Sequence, residues 1–303
     1  STGESSFQGA WARTLSPQTS WLPSLACVAN AGIGCICYSM ILGDCLSLIL
    51  APLGLHPLLA SRNSLLLVLS VVVLFPLCSM RSLAPLAKFS ALGVLSNVFI
   101  SFFVSLRCLD GSYRAGGAFL VAAPVTPSFT ASSGSAWHTA LNPSVTVLLS
   151  ILGTAFLAHY NAPLFYQQLA PDAAGDRSGR FLTTSVLGFG IAGAIFSVVM
   201  AGGFLTFGSN SSGLILNSYA ATDPLAIGAR IAIALSLLTA YPIVFFSVRE
   251  QCLGFLGKRG SDLAAKRPLV VTLALLGSIT AVALRLHDLS RVAAFAGAVF
   301  GSF

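Results

Sequence analysis

The chain has 303 residues, of which 55% are hydrophobic and 8% charged, with a net charge of +7 and a mean hydropathy of +0.87. Soluble globular chains carry roughly 25% charged residues, so this composition excludes a soluble domain: lipid must cover most of the surface. The basic excess is scattered singly between apolar runs and forms no stripe or cluster, which excludes a nucleic-acid partner.

A hydrocarbon core about 30 Å thick requires roughly 20 apolar residues per helical crossing. Eight candidate spans follow in chain order, at 22–50, 64–80, 85–106, 144–167, 181–207, 224–248, 268–286 and 292–303. The runs are continuous rather than alternating, which argues against a strand barrel and for an all-α polytopic membrane protein. The chain starts at Ser1 without a basic leader, and Phe303 lies inside the last run, which at ~1.5 Å per residue covers about 18 Å and is too short to cross. The expectation is a single transmembrane domain over residues 1–303 that has been cut at both ends.

Orientation follows from the Lys and Arg residues between spans. One side receives Arg13, Arg81, Lys88, Arg177, Arg180, Arg249, Lys258, Arg259, Lys266 and Arg267; the other receives Arg62, Arg107, Arg114, Arg230, Arg285 and Arg291. Concentration of basic residues between Arg249 and Arg267 predicts that this loop is cytoplasmic. The sequon Asn210-Ser211-Ser212 then falls on the opposite face, as glycosylation requires. The seven cysteines sit in or beside apolar runs with no metal or bridging spacing and are expected as small buried hydrophobes.

Ionisable residues within spans are costly and mark partners or cavities. Asp44 and His159 are read as the two. Asp44 suits either an outer interfacial carboxylate or a role in ion coupling. His159-Tyr160-Asn161-Ala162-Pro163 combines polar side chains with a proline that frees a carbonyl one turn back. That pattern fits a helix broken at mid-depth around a transported solute, or a proline kink with a histidine bonded to a neighbouring helix. Ser236 and Thr239 share a helix face just before Tyr241-Pro242; their hydroxyls can coordinate Na⁺ together or simply bond backbone carbonyls of the preceding turn. Gly188-Phe-Gly-Ile-Ala-Gly193 fits GxGxxG, but no strand precedes it, so close helix approach is expected rather than nucleotide binding. No hydrolase or P-loop signature is present, and an enzyme is not expected.

The run from Phe156 to Leu169, the stretch from Gly202 to Tyr219, and the segment from Arg230 through Pro242 to Arg249 resemble the amino acid/auxin permease family. Within it, the similarity points to sodium-coupled neutral amino acid transporters and vacuolar amino acid transporters. Tyr38 and Gly43-Asp44 are similar to the family's third helix, and the Arg230–Arg249 segment to its eighth. The resemblance implies that the spans are the third to tenth of eleven helices, with the first two and the last missing. It implies a partial leucine-transporter-like fold of two inverted repeats, with a discontinuous helix at His159–Pro163. It further implies secondary active transport of neutral amino acids by alternating access, coupled to Na⁺ or H⁺, with no organic cofactor. Substrate contacts would come from Tyr38, His159, Tyr160, Asn161 and Pro163, and a partial Na⁺ site from Ser236 and Thr239, in a plasma or vacuolar membrane. An amino acid sensor on the same fold and, from another class, a membrane-embedded hydrolase are the competing readings; oligomeric state is not encoded in any pattern seen.

Overall fold

A computed structural model describes residues 7–50, 54, 61–80, 90–128, 144–156, 162, 166, 169–171, 177–256 and 258–300. These form ten helices: α1 (Phe7–Thr14), α2 (Trp21–Leu50), α3 (Arg62–Cys78), α4 (Ser90–Leu109), α5 (Ser144–Ala155), α6 (Ser178–Phe207), α7 (Pro224–Phe255), α8 (Lys258–Lys266), α9 (Pro268–Arg285) and α10 (Leu289–Phe300). Each of the eight expected spans has a helix within it. Five of these, α2, α4, α6, α7 and α9, are long and apolar enough to cross a bilayer, while α3 and α10 are shorter. The helix α5 is the described part of the 144–167 span. The short helices α1 and α8 were not foreseen.

Helix ends are set by local chemistry. The Asp223 carboxylate caps α7 by accepting from Leu225 N, Pro224 occupies its first turn, and Ser61 Oγ caps α3 by accepting from Ser64 N. Pro268 likewise opens α9, where a missing amide costs nothing. Pro76 has no amide to offer inside α3, and just before it the helix widens into a π-turn over Ser70–Leu74, with Phe75 N donating to Ser70 O.

The centre of the fold is the crossing of α2 with α7, flanked by α3 and α9. Cys35, Leu42, Leu74, Leu237, Tyr241, Phe245 and Leu276 form a common core there. A second core joins the ends of α4, α6 and α7 to the connections around residues 113–125 and 214–220. In it, Phe103, Tyr113, Phe207 and Tyr219 meet edge-to-face or tilted at centroid distances of 4.6 to 5.5 Å, a favoured aromatic geometry. Helix α10 packs on α2 and α5. Outward faces of α4, α6 and α9 expose Val94, Phe102, Leu182, Phe204, Leu269 and Leu273, as lipid-facing helices require.

Charges are settled in pairs at the end of the bundle where α2 meets α3. Asp44 bonds Arg62 Nε at 2.6 Å and Asn217 Nδ2 at 3.0 Å, while Arg62 also donates to Ala283 O and Leu286 O. The interfacial reading of Asp44 therefore has its explanation in a local ion pair. Arg230, counted above with the basic residues between spans, is completely buried within α7 and donates to Leu216 O, Tyr219 O and Ala220 O. Those carbonyls belong to a 3₁₀ turn and its exit, where the backbone leaves acceptors that the guanidinium fills.

The close approach expected at Gly188 and Gly190 is not made, since nothing among the described residues lies within 4 Å of a Cβ built at either. It occurs instead at Gly202 and Gly203, where an added Cβ would sit 2.7 Å from Val104 Cγ1 and 2.8 Å from Ile215 Cδ1. Gly208 ends α6 with φ of +63°, a conformation that glycine adopts without strain. That turn lets Ser209 N reach Ser128 O at 2.9 Å and fastens the outer connection to α6. Gly202→Val should overpack the α4–α6 contact by about 1–3 kcal/mol, lowering the melting temperature in detergent, and the further change Val104→Ala should recover part of the loss.

Candidate functional site

A cavity of about 450 Å³ lies between α2, α5 and α10, with Val244 of α7 and Gly213 of the outer connection completing its wall. It exists because small residues face it: Ala31 and Gly34 on α2, Ala155 on α5, Ala293 and Ala296 on α10. Its polar groups are Asn30, Cys37, Tyr38 and Ser290, and no charged side chain is among its lining residues. A pocket of this size and polarity suits a small solute held by a few directed hydrogen bonds.

Tyr38 lines the cavity and leans toward Tyr241 of α7 at a centroid distance of 6.4 Å. Tyr241 is fully buried, with its hydroxyl 3.1 Å from Ser39 Oγ and its ring stacked on Phe245. The wall behind Tyr38 is thus fixed by a hydroxyl pair across the α2–α7 crossing. His159, Tyr160, Asn161 and Pro163 lie outside the described residues. Ala155, which lines the cavity, precedes His159 by four positions in the chain.

Ser236 and Thr239 sit elsewhere on α7 and are not among the cavity's lining residues. Thr239 Oγ1 donates to Ser236 O at 2.8 Å, and Ser236 Oγ lies 3.2 Å from the position of a Cβ at Gly93 on α4. A hydroxyl that donates its proton to a carbonyl keeps lone pairs for a cation, so the geometry is compatible with oxygen ligation. Pro242, three residues further on, withholds an amide from the carbonyl of Leu238. Among the described residues there is no cluster of His, Cys, Asp or Glu that would hold a transition metal.

The ionisable groups that sequence reasoning missed lie outside the cavity, with Asp223 and Tyr113 buried among them. Arg107 forks onto Asp223 with bonds of 2.6 and 2.8 Å and also reaches Asp110 Oδ2 at 2.7 Å. Tyr113 donates to Asp223 Oδ2 at 2.9 Å and accepts from Ala220 N at 3.1 Å. Burial pushes the Tyr113 phenol well above its ordinary range. Asp110 is held below the usual carboxylate range: partial burial opposes this, but bonds from Ser112 and the charge of Arg107 outweigh it. This network needs both a helix start at Asp-Pro and an arginine more than a hundred residues earlier, so no local motif announces it.

A family model for transmembrane amino acid transporter proteins matches residues 1–303. The chain belongs to that family. Its relatives include solute carrier family 38 member 8 of Mus musculus, 26% identical over the whole of this chain and 69% of its own length. A Danio rerio protein provisionally named sodium-coupled neutral amino acid transporter 11 is 26% identical over 83% of this chain and 52% of its own. Vacuolar amino acid transporter 5 of Schizosaccharomyces pombe is 25% identical over 93% of this chain and 64% of its own. The chain thus spans between about half and just over two thirds of these relatives' lengths. No solved structure matches it. The relatives are named as transporters rather than enzymes, and this chain is a multi-pass membrane member of the amino acid transporter family.

Asp223 ties the end of α4 to the start of α7 through Arg107. Asp223→Asn should destabilise the protein by about 1–3 kcal/mol, because it removes the charge from a fully buried acceptor of Arg107 and Tyr113 while Arg107 keeps its pair with Asp110, read as a loss of monodisperse protein and of melting temperature after extraction.

Proposed function

We propose that the protein is a secondary active transporter of neutral amino acids, working by alternating access around the cavity between α2, α5 and α10. The observation that carries this reading is the composition of the cavity wall: about 450 Å³ lined by small and apolar residues, with Asn30, Tyr38 and Ser290 as polar anchors and no ionised side chain among the described residues that line it. A substrate with a charged side chain would find no counter-charge there and would be penalised for desolvation. The zwitterionic end of a neutral amino acid needs partners of its own. The segment from His159 to Pro163 is proposed to supply them as a broken helix, with Asn161, Tyr160 and freed backbone groups reading the carboxylate and ammonium opposite Tyr38. Its entry point supports this, since Ala155 is on the cavity wall.

Coupling to Na⁺ is favoured by the name of the Danio rerio relative, with Ser236 and Thr239 as hydroxyl ligands; H⁺ coupling is the competing case. A vacuolar membrane is favoured by the name of the Schizosaccharomyces pombe relative, with a plasma membrane as the competing case. The two halves α2–α3 and α7–α9 are proposed to rock as inverted repeats around this centre, with the Arg249–Arg267 segment cytoplasmic.

Uptake of labelled neutral amino acids by the full-length protein, with Na⁺ and pH varied independently, tests the reading. Thr239→Ala should raise the Na⁺ concentration for half-maximal uptake by about tenfold while leaving substrate affinity at saturating Na⁺ within about twofold, equivalent to the loss of one ligand worth ~1.4 kcal/mol. Asn161→Ala should weaken substrate affinity, and His159→Ala should flatten the pH profile between about 6 and 8. Uptake indifferent to Na⁺ but driven by acid pH would assign proton coupling. For the orientation, single cysteines at Asp262 and Ser212 should be modified by an impermeant reagent from opposite faces; modification of both from one face would overturn it.

A further inference from the structure

A second cavity of about 600 Å³ opens at the opposite end of the fold from the Asp223 network, among the ends of α3, α7, α8 and α9. Ser79 and Met80 enter it from α3, Phe246, Arg249 and Glu250 from α7, and Thr272 from α9. This is the end that carries the basic Arg249–Arg267 segment. None of its residues belongs to the cavity at Tyr38.

Two of its polar groups are left with capacity that the protein does not use. Thr272 is 1% exposed, and its Oγ1 has no hydrogen-bond partner. A helical threonine ordinarily returns its hydroxyl to the preceding turn, as Thr206 does to Gly202 O and Thr239 to Ser236 O. An orphaned buried hydroxyl is disfavoured and uncommon in native proteins. Arg249, with a side chain 13% exposed, spends one long bond of 3.3 Å on Cys78 O and lies 5.2 Å over the Phe246 ring. A guanidinium has five N–H donors, so most remain for a ligand. Among the described residues Glu250 is the one carboxylate lining the cleft. It is 3.8 Å from Arg249 Nε, beyond hydrogen-bond distance, and 54% exposed, so water screens its charge more than that of Arg249.

The walls are amphipathic. Phe246, Met80 and Leu269 line the interior, and Leu269, Val270 and Leu273 are all more than half exposed along the adjoining flank of α9. A free anion needs only the polar end. The continuous apolar flank suits a ligand with a hydrocarbon tail, and basic pockets between helix ends on this side of a membrane take anionic headgroups.

We propose that this cleft binds an anionic phospholipid, with the phosphate oxygens accepting from Arg249 and from Thr272 Oγ1 while one acyl chain lies along the Leu269–Leu273 flank. The site is independent of the transport reading, because none of its residues touches the proposed substrate or ion positions.

Native mass spectrometry of the full-length protein, titrated with phosphatidylglycerol, reads the first bound lipid directly. Thr272→Val keeps the side-chain shape and removes only the unpartnered hydroxyl. Its melting temperature in phosphatidylcholine should equal or exceed that of the wild type, while affinity for phosphatidylglycerol falls about tenfold, as for one charge-assisted hydrogen bond. Arg249→Lys, which keeps charge but loses the fork, should weaken the lipid comparably, and Lys266→Gln, outside the cleft, should change it by less than about twofold. Equal lipid affinity in wild type and Thr272→Val would overturn the site. Displacement of the lipid by soluble glycerol phosphate at matched concentration would overturn the lipid as ligand and assign a free phosphate ester.

Discussion

The fork between Arg107 and Asp223 is the contact on which the outer half of the molecule depends. Asp223 is fully buried, and a carboxylate in that position is tolerated only when its charge is matched and its lone pairs are filled. Arg107 supplies the charge, the Leu225 amide and the Tyr113 hydroxyl supply the remaining donors, and the positive end of α7 adds its dipole. One side chain thereby fixes where α7 begins, how α4 lies against it and where the connection after α4 folds back. Tyr113 passes the constraint on to the Ala220 amide, and Arg230 collects the carbonyls of the same turn. The aromatic box of Phe103, Tyr113, Phe207 and Tyr219 packs beside this network.

A related solution appears at two helix C-termini. Arg62 donates to the last carbonyls of α9, and Arg249 donates to the last carbonyl of α3. In each case a helix end that would otherwise leave bare oxygens in an apolar setting receives a guanidinium from a helix distant in sequence, with the favourable sign for the helix dipole. The pairing of α3 with α9 in opposite directions is what an inverted repeat would generate, and it explains why arginines sit at these positions although the interior is otherwise nearly free of charge.

The spans were legible because a bilayer imposes a length on apolar runs, and the runs here are continuous over that length. The boundaries moved outward by a turn at Ser178, where no side chain caps the helix, and at Leu289, where Asp288 Oδ1 accepts from Arg291 N. The helices α1 and α8 were missed because a short segment with mixed polarity carries no span signal, and its helicity depends on neighbours. Arg230 was counted with the basic residues between spans: its position seven residues into α7 looks peripheral, while its partners are backbone carbonyls that have no sequence signature. Asn30 and Ser290 at the cavity had no signal either, since isolated polar residues in apolar helices are common and only packing reveals which face they occupy. Gly202 and Gly203 resembled many other small residues until the side chains of Val104 and Ile215 were placed against them. Tyr38 entered through resemblance, and its place on a cavity wall is a matter of how α2 is turned against α10.

The contact between Ser39 and Tyr241 has a character different from that of the arginine forks. A fork fixes two planar groups in one relative orientation, and a small rotation of either helix would break at least one of its two bonds. Two hydroxyls impose no such plane, and either oxygen can be the donor. The joint at the middle of the α2–α7 crossing therefore behaves as a swivel, retained through a change of angle, while the charged joints near the helix ends act as fixed rivets.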